Sequence, residues 1–120
     1  MKRTKFYNCH ISQNAKMVEF AGYEMPIQYS SIIAEHKAVR TNAGIFDVSH
    51  MGEIIVNGEN ALDFIQYITV NNVANLQVGK VQYSAMCYEN GGIVDDLLVY
   101  KLDENEFMLV VNGANKDKDY

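Results

Sequence analysis

The spacing of apolar positions changes along the chain, and each change marks an element. Six runs crowd β-branched and aromatic residues together: Met17–Phe20, Glu24–Tyr29, Ile45–Val56, Gln82–Glu89, Ile93–Leu102 and Phe107–Asn112. Gly, Asn or Asp separates them, which predicts six strands. Two stretches keep a helical period instead. Ile32, Ile33, Ala34, Ala38 and Val39 follow Ser30-Ser31 and end at Gly44, so a hydroxyl N-cap opens this helix, a glycine closes it, and Arg40 suits its C-terminal dipole. Asn60 to Tyr67, apolar at Ala61, Leu62, Phe64 and Ile65, predicts a shorter helix capped by Asn60. The fold class is therefore α+β, a mainly antiparallel sheet with two or three short helices.

The sharpest local signal is Glu89-Asn90-Gly91-Gly92 between two strand runs. Asn-Gly favours a two-residue type I′ hairpin turn. With Asn90 and Gly91 as the loop, paired residues have numbers summing to 90 + 91 = 181, so Ala85 faces Asp96 and Tyr83 faces Leu98. Because side chains alternate, Tyr83, Ala85, Cys87, Val94, Asp96, Leu98 and Tyr100 share one face, and Met86, Tyr88, Ile93, Asp95, Leu97 and Val99 the other. Tyr83 lies diagonal to Asp96 and within reach of it.

Composition narrows the classes of function. The length of 120 residues fits one domain, and 48% hydrophobic with 21% charged residues suits an ordinary globular core. Ten Lys and Arg against fifteen Asp and Glu leave a formal charge of −5, the wrong sign for a phosphate backbone, which argues against nucleic acid as a partner. Met1-Lys2-Arg3 resembles the basic start of an export signal, but the apolar region that export requires does not follow, and no apolar run is long enough to span a membrane. Cys9 and Cys87 fit no disulfide framework. A reducing, cytoplasmic setting is expected.

Most candidate chemistry weakens on inspection. Asp47, Ser49 and His50 suggest a triad, yet neighbours on a strand point apart and hydrolase triads draw on distant segments. His10, His36, His50, Cys9 and Cys87 have no metal-ligand spacing, and the glycines form no phosphate-binding loop. Tyrosines, phenylalanines and methionines default to packing. Asp95-Asp96 is different, because it interrupts the apolar run Ile93-Val94…Leu97-Leu98-Val99. Aspartate is a poor strand former, and a buried carboxylate must find donors, water or a ligand.

Four blocks in order, Met17 to Pro26, Phe46 to Glu53, Gly91 to Tyr100 and Val110 to Asp119, together resemble the glycine cleavage system T protein, or aminomethyltransferase, family. The departures are Tyr23 where the family commonly has Trp, Asn72 where Asp is usual, and Gly113 where Ala or Ser is common. Family members are far longer, with further domains around a folate-binding central hole, so residues 1–120 resemble the incomplete N-terminal folate-binding domain.

The resemblance implies transfer of the one-carbon unit from the aminomethyl-dihydrolipoyl arm of H protein to tetrahydrofolate, with release of ammonia; partners are then lipoylated H protein and folate. The family's second Asp of Gly-Gly-x-x-Asp-Asp falls on Asp96, which is expected to be the catalytic carboxylate. Met51, Tyr83, Tyr100, Val110 and Asn112 are expected to line the same folate pocket, with no metal site. The carboxylate is expected to point into a cavity beside tyrosine rings, while Asp95 serves structure. The chain alone is expected to be inactive. The alternatives are a noncatalytic folate-binding or protein-interaction module of the same fold, and a scaffold whose acids are structural.

Overall fold

The computed structural model describes residues 1–120, in the order β1 (Lys2–Arg3), α1 (Tyr7–Ser12), β2 (Lys16–Phe20), β3 (Tyr23–Gln28), α2 (Ile32–Thr41), β4 (Gly52–Asn57), α3 (Ala61–Ile68), β5 (Val81–Cys87), β6 (Ile93–Asp103), β7 (Glu106–Val111) and α4 (Lys116–Asp119). These elements fall into two compact units, residues 1–50 and 51–120. No helix is long and apolar enough to cross a membrane.

The first unit carries a three-stranded sheet in the order β1-β3-β2, with β1 parallel and β2 antiparallel to β3. Phe20 pairs with Tyr23 across Ala21-Gly22, both at positive φ (51° and 81°), the backbone of a two-residue type I′ turn. Glu19 accepts the Gly22 N–H at 2.8 Å and steadies this turn. In α2, Ser31 caps the helix by accepting from the Ala34 N–H. Glu35 also accepts the backbone N–H groups of Tyr29, Ser30 and Ser31, and the bonds from Ser30 and Tyr29 hold its carboxyl below the usual range. The helix ends at Thr41, three residues before the glycine expected to stop it, and buries none of its residues.

The strand expected over Ile45–Val56 is corrected to Gly52–Asn57, and Ile45, Phe46 and Val48 are exposed. Side-chain bonding at Asp47 overrides the β propensity there. Asp47 Oδ2 accepts from the Thr4 hydroxyl at 2.7 Å and lies 2.8 Å from His10 Nε2, and Oδ1 accepts the Ser49 N–H at 2.9 Å. An ionised Asp47 can only accept, so His10 Nε2 carries a proton, and in the neutral ring Nδ1 accepts from the Tyr29 hydroxyl at 2.7 Å. Burial pushes the Asp47 carboxyl up, but bonds from Ser49, Thr4 and His10 outweigh it and hold the group well below the ordinary carboxylate range. Burial and the Asp47 charge raise the Tyr29 phenol. The centre of this unit is thus polar: Thr4 and His10 are buried beside a single buried apolar residue, Met25.

The second unit is built on an antiparallel sheet in the order β4-β7-β6-β5. One face supplies Met86, Leu97, Val99, Phe107, Leu109 and Val111 to an apolar core that Ala61 and Ile65 of α3, with Val73 and Leu76 around a short 3-10 turn, complete from the other side. Gly52 at the start of β4 must be small: a Cβ there would sit 2.7 Å from the Val111 side chain and 2.6 Å from the Lys116 stem.

Tyr83 pairs with Leu98 and Ala85 with Asp96, the expected register, but by a different route. Gly91 alone has positive φ, its N–H bonds to Tyr88 O, and the Tyr88 N–H bonds to Gly92 O, which makes a three-residue loop with a glycine bulge in place of the type I′ turn. Asn90 instead uses its side chain to accept the Gly92 N–H. Pairs next to this loop sum to 180, as in Cys87 with Ile93; a shift between Met86 and Cys87 leaves Val94 unpaired and restores 181 from Met86 and Asp95 onward.

Two stability predictions follow from these cores. Phe107→Ala, at a fully buried site, is expected to cost about 3–5 kcal/mol in urea unfolding. Because the folded Asp47 carboxyl lies below its unfolded value, its stabilisation is present above the ordinary carboxylate range and is lost as pH falls below it. Asp47→Asn is expected to cost about 1–3 kcal/mol at neutral pH and to reduce the acid-induced loss of stability seen by circular dichroism.

Candidate functional site

Adjacent residues on β6 point to opposite faces of the sheet, so the Asp95-Asp96 pair is divided between two environments. Asp95 joins Ser84, Met86, Leu97 and Val99 on the core side and is 8% exposed, whereas Asp96 is on the open side with Tyr83, Ala85, Leu98 and Tyr100. On that open face Val110 pairs with Leu98 and Met108 with Tyr100, so β7 extends the surface across the middle of the sheet.

Both oxygens of Asp96 are held by uncharged donors. The Tyr83 hydroxyl donates to Oδ2 at 2.7 Å and the Asn112 side-chain amide donates to Oδ1 at 2.8 Å. The bond to the Asp96 carboxylate, and then its charge, raise the Tyr83 phenol, which keeps that hydroxyl a donor. Tyr83 is itself held in place, since Asn71 donates to its carbonyl at 2.5 Å and the neighbouring Ser84 hydroxyl accepts the Asn71 N–H. Asn112 follows the last residue of β7, one step beyond the Leu97–Val111 pair, which carries it level with Asp96.

Asp95 is held from below. Burial pushes its carboxyl up, but bonds from Asn112, Asp119 and Asn115 and from the Asp96 backbone bring it below the usual value. Asn112 reaches both acids, with its amide nitrogen 3.0 Å from Asp95 Oδ1. Asn115 and Asp119 are not among the residues the sequence points to as a site; they fall in the block Val110 to Asp119 that carries the family resemblance, a polar tract following an apolar strand.

Of the residues expected to form one pocket, Asp96, Tyr83 and Asn112 share direct hydrogen bonds. Tyr100 and Val110 lie on the same face, and Tyr100 is four residues, about 13 Å, along β6 from Asp96. Met51 immediately precedes β4, next to the Gly52–Val111 pair. The expected cavity around Asp96 is corrected: its side chain is exposed on an open sheet face. Two hollows lie elsewhere, one of about 460 Å³ between α2 and the loop at Ile45-Phe46, the other of about 470 Å³ beside β4 and α3. The reason is geometric, since a sheet face becomes a pocket only when something is packed over it.

An exposed carboxylate with a fixed orientation, flanked by a tyrosine ring and small or flat apolar side chains, can accept a hydrogen bond from an N–H at the edge of a planar ligand whose face rests on the sheet. Chemically, it can orient or withdraw a proton.

An aminomethyltransferase of Symbiobacterium thermophilum is 58% identical over 120 residues, 100% of this chain and 32% of that protein. An aminomethyltransferase of Geobacillus kaustophilus is 55% identical over 120 residues, again 100% of this chain and 33% of the relative. The backbone superposes with a TM-score of 0.94 on the crystal structure of the glycine cleavage system aminomethyltransferase T from Bartonella henselae, at 39% identity over 99% of this chain and 33% of that one. The chain thus spans about a third of the length of the curated relatives it matches. The family described as the GCVT N-terminal domain matches residues 6–120, and with the hairpin, the divided acids and the sheet order all in place, the chain belongs to that family.

Proposed function

We propose that this chain is the N-terminal, folate-facing part of a glycine cleavage aminomethyltransferase, and that Asp96 is its catalytic carboxylate. The observation that carries the reading is the pair of bonds from Tyr83 and Asn112, which orient an exposed carboxylate on a sheet face it shares with Leu98 and Val110. The aminomethyltransferase names of the relatives and the solved T protein support the reaction class.

In this reading the co-substrate is tetrahydrofolate, the aminomethyl donor is lipoylated H protein, and the setting is cytoplasmic. A reduced pterin has ring N–H groups and a flat apolar body, which fit a carboxylate acceptor beside Tyr83 and Leu98, with Tyr100 farther along the same face. Asp96 would accept a hydrogen bond from the attacking nitrogen and raise its readiness to take the one-carbon unit. Tyr83 and Asn112 would hold Asp96 in position, with Val110, Tyr100 and Met51 contributing surface around it. Asp95 would anchor the strand. Residues 1–120 would form the first part of the folate-binding domain, and the opposite wall would come from sequence beyond this third of the family's length.

The test is made in a polypeptide that joins this chain to the remaining two-thirds of a relative. Asp96→Asn is expected to lower aminomethyl transfer to tetrahydrofolate by about 100-fold or more, with the unfolding midpoint nearly unchanged; near-normal turnover would refute the assignment. Tyr83→Phe, which removes one of the two bonds, is expected to lower transfer about tenfold or less. The 120-residue chain alone is expected to show no ammonia release from aminomethylated H protein and no tight tetrahydrofolate binding by calorimetry.

A further inference from the structure

Below the sheet face that carries Asp96, two carboxyl groups meet in a buried position. Asp95 on β6 and Asp119 on α4 are each 8% exposed. Asp95 Oδ2 and both oxygens of Asp119 are buried without a donor when the two groups are counted as carboxylates. Two ionised carboxylates cannot satisfy each other, whereas one proton between them supplies the missing donor.

We propose that Asp119 is a positioning residue for Asp96, acting through a proton shared with Asp95 that decides how firmly the Asn112 amide is held against Asp96. The inference rests on the reading of Asp96 as the ligand-facing carboxylate. The linkage is the Asn112 side-chain nitrogen, which has two hydrogens and three acceptors: Asp96 Oδ1 at 2.8 Å, Asp95 Oδ1 at 3.0 Å and the Asp96 carbonyl at 3.2 Å. The acceptors compete. With a proton on Asp119 directed to Asp95, part of the Asp95 charge is already satisfied, and Asn112 is left to Asp96. When that proton leaves, Asp95 becomes the stronger acceptor and draws the amide away, freeing Asp96 Oδ1.

The surroundings keep the proton in place. Burial, then the bond and the charge of Asp95, push the Asp119 carboxyl up to about 6. Lys118 on the same short helix opposes this, but its ammonium donates to the Val94 carbonyl at 2.6 Å. Lys116 and Asp117 are the other charged residues of that helix. In the hollow that Asp119 lines, β4 and α3 present Ile54, Val56, Phe64 and Ile68 and β5 presents Met86, none of them an acid or base, and Tyr120 adds its phenol. This hollow of about 470 Å³ gives the proton a route to solvent.

The test is an NMR titration of the 120-residue chain between pH 4.5 and 7.5, following the Asn112 side-chain amide and the carboxyl carbons of Asp95, Asp96 and Asp119. In the native chain the Asn112 amide and the Asp119 carbon are expected to share one inflection near pH 6. In Asp119→Asn, whose amide supplies a permanent donor to Asp95, the Asn112 inflection near 6 is expected to vanish while the backbone spectrum outside α4 stays the same. A loss of packing alone would not remove a titration step from Asn112 with the fold intact. An Asn112 amide that is flat through this range in the native chain overturns the proposal, and that measurement needs no variant to fold. An inflection that persists in Asp119→Asn overturns it as well. If the shared inflection is present but Asp96→Asn leaves aminomethyl transfer intact, the proton relay stands and the catalytic reading of Asp96 is what fails.

Discussion

The alternation of a β-strand places two adjacent aspartates on opposite sides of one sheet, and the second unit depends on that placement being right. A slip of one residue between β5 and β6 would bury Asp96 in the apolar core and expose Asp95, at a cost of several kcal/mol for the unpaired charge alone. The hairpin at Glu89–Gly92 and the unpaired Val94 prevent the slip. Tyr83 then reaches Asp96 because the register puts them on one diagonal, and Asn112 reaches it because β7 ends level with it. Everything polar at the site follows from strand geometry, with no loop supplying a direct bond to Asp96 except through the residue that leaves β7.

The two units solve the problem of cohesion differently. Residues 51–120 bury Phe107, Ile65, Val99 and Val73 completely and resemble a conventional sheet covered by a helix. Residues 1–50 place an Asp–His–Tyr network where a core would be, so their cohesion depends on complete hydrogen bonding. Such a network is specific but unforgiving: every member removed leaves another buried group without a partner.

Much of this was legible in the sequence because local rules and tertiary structure agree. The Asn-Gly pair located the hairpin, the alternation separated Asp95 from Asp96, and Ser31 opened α2. The turn type was not legible, because Asn-Gly suits both a type I′ turn and a loop in which only Gly91 takes positive φ; the choice lies with the Asn90 side chain bonding the Gly92 N–H. Ile45–Val48 looked like a strand because their apolar side chains say nothing of Asp47, whose partners Thr4 and His10 are about forty residues away. The short helices α1 and α4 lack an apolar stripe to announce them. Nor does anything local tie Asn115 and Asp119, at the end of the block Val110 to Asp119, to Asp95; the fold brings them beneath it.

Helix α2 contributes no buried residue, so its order is maintained by hydrogen bonds at its ends: Ser31 and Glu35 take up the backbone donors around the first turn, and the Thr41 hydroxyl and Asn42 N–H donate to the Lys37 and Ala38 carbonyls of the last. A segment secured by such bonds alone can unwind without opening any apolar interior. Its amide protons should then exchange with solvent through fraying that is independent of global unfolding, making it a locally melting element.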